Sequence, residues 1–126
     1  MSAYALKNNG YLDATRHTGT PREIEYQLFS RITGRLNQAR AQDVAYADLV
    51  AALQDNLTLW RTITIDVMDD ANSLPPQLRA QLVYLYEFTA AHTRKVLRKD
   101  ADVTALIEVN ASVMRGLRAG DPGKAG

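Results

Sequence analysis

Cysteine is absent from the 126-residue chain. That removes disulfides, thiolate nucleophiles and thiolate metal ligands together, and it fits a reducing compartment. Long apolar runs are missing too, since no stretch approaches the roughly 20 apolar residues that a membrane-spanning helix needs. The opening Met1-Ser2-Ala3-Tyr4 lacks the basic-then-apolar order of an export signal. A cytoplasmic location with no membrane partner is the expectation. Nor does one sign of charge dominate: 15 Lys and Arg stand against 14 Asp and Glu, so no strong positive field marks a dedicated nucleic-acid binder. Signatures of catalysis are lacking as well, with no GxSxG, no phosphate-cradling glycine loop and no HExxH. The two histidines, His17 and His92, stand far apart without acid or histidine partners at helical spacing. Glu23 and Glu25 are two residues apart and point to different helix faces, so they read as cap and surface charge rather than as an acid/base pair. No enzymatic activity, cofactor or metal is expected.

What is present is enough apolar material for a core, 46% of residues against 23% charged, in a length that suits one domain. Residues 1–19 read as a loosely attached arm broken at Asn8-Asn9-Gly10 and Gly19, with room for a short helix over residues 11–16. Thr20-Pro21-Arg22-Glu23 has the form of a capping box and opens a first helix, on which Ile24, Leu28, Ile32 and Leu36 recur every four residues, Phe29 beside them, to about Arg40. Gly34 inside it is expected to mark a close helix crossing. A second helix is expected from after Asp43 to about Asp69, with Leu49, Leu53, Leu57, Trp60, Ile63 and Val67 on one side.

The turn formers and prolines of residues 69–76 break that helix, and a third opens at Pro75 or Pro76 and runs to Lys99 with the stripe Leu78, Leu82, Leu85 and Val96. Asp100-Ala101-Asp102 caps a fourth helix carrying Val103, Leu106, Ile107, Met114 and Leu117, and residues 119–126 read as a disordered tail. Without strand-like alternation or repeats, the fold class is all-α: a single small helical bundle of about four amphipathic helices with an N-terminal arm.

Several blocks along this pattern carry a resemblance. Thr20-Pro21-Arg22-Glu23 with Glu25, Asn56-Leu57-Thr58-Leu59-Trp60, Asn72 through Arg79, His92-Thr93, and Leu106-Ile107-Glu108-Val109-Asn110 followed by Met114-Arg115-Gly116-Leu117 resemble the FlaF family of flagellar biosynthesis regulators in order and rough spacing. The resemblance covers about residues 20–118. It implies a helical, cytoplasmic, non-enzymatic protein that binds flagellin as a secretion chaperone, couples flagellin synthesis to export, and works alongside FlbT, a regulator of flagellin mRNA. It transfers no catalytic or binding residue.

Individual residues give two further expectations. Polar side chains interrupt the apolar stripes at Asn56, Thr89, His92 and Asn110, and each needs a partner or costs about 1–3 kcal/mol. Asn56, His92 and Asn110 are candidates either for an internal network that fixes helix register, or, if the helices do not close on one another, for the lining of a groove that accepts a partner helix. Separate hydrogen bonds to backbone or water are the plainer alternative. Among the aromatics, Trp60 lies on a stripe and belongs to the core, whereas Tyr26 and Tyr84 project away and are candidates for partner contact. The cluster Arg94, Lys95, Arg98 and Lys99 is the candidate RNA contact if the protein regulates flagellin mRNA directly. Because no aromatic platform is interleaved with it, complementing the helix dipole is the preferred reading.

Overall fold

The computed structural model describes the backbone of residues 21–119 and the side chains of residues 25–117. Four helices follow one another: α1 (Pro21–Gln38), α2 (Tyr46–Met68), α3 (Pro76–Leu97) and α4 (Thr104–Ala119). No strand occurs among the described residues. The expected arm over residues 1–19, the expected cap at Thr20 and residues 120–126 of the expected tail over 119–126 lie outside them, while Ala119 belongs to α4.

Short connections make sequential helices antiparallel, and the packing agrees. One core cluster gathers the end of α1, the start of α2, the end of α3 and the start of α4, and a second gathers the opposite ends. Around the ring α1 packs on α2, α2 on α3, α3 on α4 and α4 on α1, with α3 touching α4 least.

The junctions explain where helices stop. After α2, the Asp69 carboxylate accepts the Ala71 N–H at 2.8 Å, and Asn72 Oδ1 accepts the Leu74 N–H at 2.9 Å. Such side-chain turns compete with helical bonding and end the helix. Arg79 then reaches back from α3, donating from Nε to the Val67 carbonyl at 2.6 Å and from Nη2 to the Asp69 carbonyl at 3.0 Å. A cation is thereby set on the carbonyl end of α2, where orphan acceptors and the helix dipole both favour it.

The end of α3 is a Schellman motif: the Asp100 N–H bonds the Lys95 carbonyl at 2.9 Å, and the Lys99 N–H bonds the Val96 carbonyl at 3.0 Å. Lys99 takes the left-handed position with φ 66°, a place usually given to glycine. Asp102 Oδ1 accepts the Thr104 N–H at 2.9 Å and caps α4.

The second helix starts at Tyr46, after Asp43 as expected. Its N-cap, Ala45, offers no side-chain bond, and Asp48 supplies the favourable negative charge in the first turn. Two other expectations are corrected. Gly34 marks no close crossing, because a Cβ placed there meets nothing within 4 Å. Leu78, assigned to the core stripe of the third helix, is 40% exposed beside the α2–α3 turn.

Candidate functional site

The centre of the bundle is polar. Asn110 on α4 accepts the indole N–H of Trp60 at 2.9 Å and donates from Nδ2 to Asn56 Oδ1 at 2.8 Å and to Thr33 Oγ1 at 3.1 Å. α2 and α4 lie diagonally across the ring without close backbone approach, so these bonds join them through the middle while also holding α1. Trp60, Asn56 and Asn110 are fully buried, and Phe29 meets Trp60 edge-on with ring centres 5.8 Å apart. A buried indole needs an acceptor and a buried amide needs nearly all its bonds. Asn110 meets both demands at once, fixing how the helices register.

Of the three polar residues expected to meet, Asn56 and Asn110 do and His92 does not. His92 is half-buried at the edge of α3, where Nε2 donates to the Asp102 carbonyl at 2.9 Å and the ring stacks on Phe88 at 5.5 Å. It fastens the α3–α4 turn. Hydrogen bonds from the Thr104 backbone and side chain hold the adjacent Asp102 carboxyl below its ordinary value, and the charges of Arg40 and His92 help, against a smaller desolvation effect. Because the helices close around Asn56 and Asn110, neither asparagine lines an open groove.

Most of the apolar surface that remains lies at one end, although Val44, Leu49, Leu97, Ala101 and Ile107 are half-buried and Tyr46 is exposed at the other. The cluster at the far end of the bundle has Leu36, Ala39, Ala52, Leu53, Val96, Val103 and Leu106 sealed from solvent. At the end formed by the start of α1 and the α2–α3 turn, Phe29, Ile32, Leu59 and Trp60 form the sealed cluster, with Val67 buried nearby, and nine further apolar side chains pack on the cluster half-buried. Leu82, Leu85 and Tyr86 from α3 face Val109, Val113 and Met114 from α4 within that group.

The cause is the sequence of α3. Its buried positions are Thr89, Thr93 and Val96, so one apolar side chain stands where neighbouring helices supply several, and α3 gains little of the roughly 1.5–3 kcal/mol available per buried leucine. Thr93 bonds its own helix at the Thr89 carbonyl, 2.7 Å away. On the outer surface of the same α2–α3 hairpin stand Ile65, Met68, Leu78 and Tyr84, at 69%, 65%, 40% and 65% exposure.

Of the candidate contacts, Tyr84 is exposed on this hairpin, whereas Tyr26 is half-buried on α1 and engaged with a partner. Arg94, Lys95, Arg98 and Lys99 are all exposed at the sealed end. Arg98 pairs with Asp100 at 3.2 Å, and Lys99 forms the helix terminator. The hydrogen-bonding role of Trp60 and the participation of Thr33 were missed in the sequence. The signal available was that an indole on a core stripe must have an acceptor in the core.

Among the described residues no helix is long and apolar enough to cross a membrane, and no three His, Asp or Glu side chains gather to hold a metal. The fold and its centre define a small antiparallel four-helix bundle with a buried tryptophan–asparagine hub, sealed at one end and partly open at the other. Residues 7–117 match the family model described as flagellar protein FlaF, and the chain belongs to that family. The matched region contains the whole hub and the Asn72 to Arg79 turn, so the blocks that carried the resemblance are those that build the bundle. No curated protein and no solved structure shows significant similarity to it.

Proposed function

We propose that this protein is a non-catalytic, cytoplasmic flagellin-binding chaperone that couples flagellin synthesis to export, and that it binds through the partly open end of its bundle. Membership of the flagellar FlaF family supports the flagellar setting. The observation that carries the binding mode is the concentration of half-buried and exposed apolar side chains on α3, α4 and the α2–α3 hairpin. Flagellin ends are amphipathic helices as a class, and an amphipathic helix is recognised by laying its apolar side on such a surface.

The test is co-purification of the full chain with flagellin at ordinary and at raised salt. Apolar docking survives raised salt, because screening acts on exposed charge contacts over about 8–10 Å. Leu78→Asp and Tyr84→Asp, both at exposed positions that leave the core intact, are expected to abolish capture. Capture that vanishes with salt, or that ignores both substitutions, contradicts the proposal.

The same end would suit an FlbT-like regulator, so the capture is run with each candidate alone and with both. Direct action on flagellin mRNA is the competing reading, resting on Arg94, Lys95, Arg98 and Lys99. It would be favoured by RNA binding that falls steeply with salt and is lost when these four are neutralised.

A further inference from the structure

We propose that a single buried water molecule bridges Asn56 on α2 and Thr89 on α3, completing a polar layer to which every helix of the bundle contributes one side chain and tying α3 to the central hub.

The polarity of the hub fixes what Asn56 must do. An indole nitrogen can only donate, so the bond from Trp60 makes Asn110 Oδ1 an acceptor and leaves Asn110 Nδ2 to donate. Both N–H groups of that amide are spent, one on Thr33 Oγ1 and one on Asn56 Oδ1. Asn56 Oδ1 is therefore an acceptor, and Asn56 Nδ2 is a donor with no acceptor in the hub. Asn56 Nδ2 and Thr89 Oγ1 are the buried side-chain polar atoms that find no protein partner among the described residues, and both residues are fully sealed from solvent. An unpaired buried polar group is costly, and native interiors rarely contain one.

The register of the α2–α3 hairpin brings these two residues to one level. Tyr46 Oη donates to the Leu97 carbonyl at one end, and Arg79 Nε donates to the Val67 carbonyl at the other. Counting equally inward along both helices from either bond sets Asn56 opposite the stretch from Glu87 to Ala90. Thr89 is the buried residue of that stretch. Its hydroxyl also differs from those of other helical threonines. Thr62, Thr64 and Thr93 each donate to the carbonyl four residues back on their own helix, a bond that Thr89 does not make.

Water has the chemistry to join the two atoms. It accepts from Asn56 Nδ2 and donates to Thr89 Oγ1, which gives it the two polar partners that a buried water needs at the least. A water occupies about 30 Å³, and threonine at so deep a position fills less space than leucine would. Thr33, Asn56, Thr89 and Asn110 then form one layer across all four helices. α3, whose buried positions are Thr89, Thr93 and Val96, gains from that layer a polar contact that selects its register.

A high-resolution crystal structure of the unaltered full chain is expected to show an ordered water within about 3.2 Å of both atoms. Thr89→Val keeps the branched shape and removes the hydroxyl. It should lower the folding equilibrium constant, read by urea unfolding, by about tenfold, equivalent to about 1.4 kcal/mol. Thr93→Val loses only a bond to its own helix and should change that constant far less. A direct Asn56–Thr89 bond, or no water at that distance, overturns the proposal without relying on any variant. A Thr89→Val chain at least as stable as the unaltered one also overturns it, because a dry layer gains by losing an unpaired hydroxyl.

Discussion

The two ends of this bundle are built from the same four helices and differ in how they finish. At the sealed end the last turn of α1 and the first turns of α2 and α4 bring Leu36, Ala52, Leu53, Val103 and Leu106 to near-zero exposure, with Val96 of α3 among them. At the other end the buried Phe29, Ile32, Leu59, Trp60 and Val67 have nine half-buried apolar side chains around them, against five at the first, and exposed Ile65, Met68 and Leu78 stand near the turn. The more fully buried end and the central hub supply most of the sealed core. Apolar surface left uncovered at the other is therefore available for recognition, and large exposed apolar patches on small proteins commonly mark interaction sites.

The largest expected contrast is between truncations at the two ends. Leu36→Ala or Leu106→Ala should cost about 2–5 kcal/mol in urea unfolding, as for fully buried leucines elsewhere. Leu85→Ala, at a half-buried position, should cost no more than about 1 kcal/mol. Equal losses at Leu36 and Leu85 would mean that the second end is sealed too.

Asn110→Ala comes next. It strands the Trp60 indole N–H and Asn56 Oδ1 in the core, and should cost about 2–3 kcal/mol, because each buried group left unpaired carries a penalty of about 1–3 kcal/mol. Indole fluorescence would report that change at Trp60 directly. Since the hub joins the ends, this loss should be felt at both.

Smaller gains are expected at two positions whose backbone and side chain disagree. Gly34→Ala has open space for its methyl and should stabilise by up to about 1 kcal/mol. Lys99→Gly relieves a left-handed lysine at the sealed end and should gain about 1 kcal/mol. Thermal midpoints would show both, with RNA or partner binding unchanged by the first.

The smallest effect concerns acid. The Asp102 carboxyl lies below its ordinary value when folded, so its ionised form is favoured by folding. Its contribution is complete above about pH 4 and is lost as pH falls through the lowered value. Asp102→Asn should flatten the acid limb of the unfolding profile, and the cap itself should survive because asparagine also caps helices.

Much of the body was legible because local chemistry and global packing agree. Pro76 opens α3, the Asn72 and Asp69 side chains end the segment before it, and the period of Phe29, Ile32 and Leu36 defines the buried side of α1. Asn56 and Asn110 were readable as polar residues on apolar stripes. Their meeting point depends on which helices lie diagonally, and one helix's periodicity carries no such information. His92 projects close to the same stripe, yet a ring at the margin of α3 reaches the nearby Asp102 carbonyl before it reaches the centre. The open end was the least legible feature. Leu78, Leu82 and Leu85 repeat as a core stripe should, and only the three-dimensional packing reveals that Thr89 and Thr93 hold the deep positions of α3 while the leucines are half-covered or exposed.

Hydrogen exchange of the full chain with and without flagellin tests the central claim most directly. Docking at the open end predicts slowed exchange over residues 78–86 and 109–117, with residues 96–106 at the sealed end unaffected. Protection confined to residues 96–106, or no protection at saturating flagellin, would contradict it.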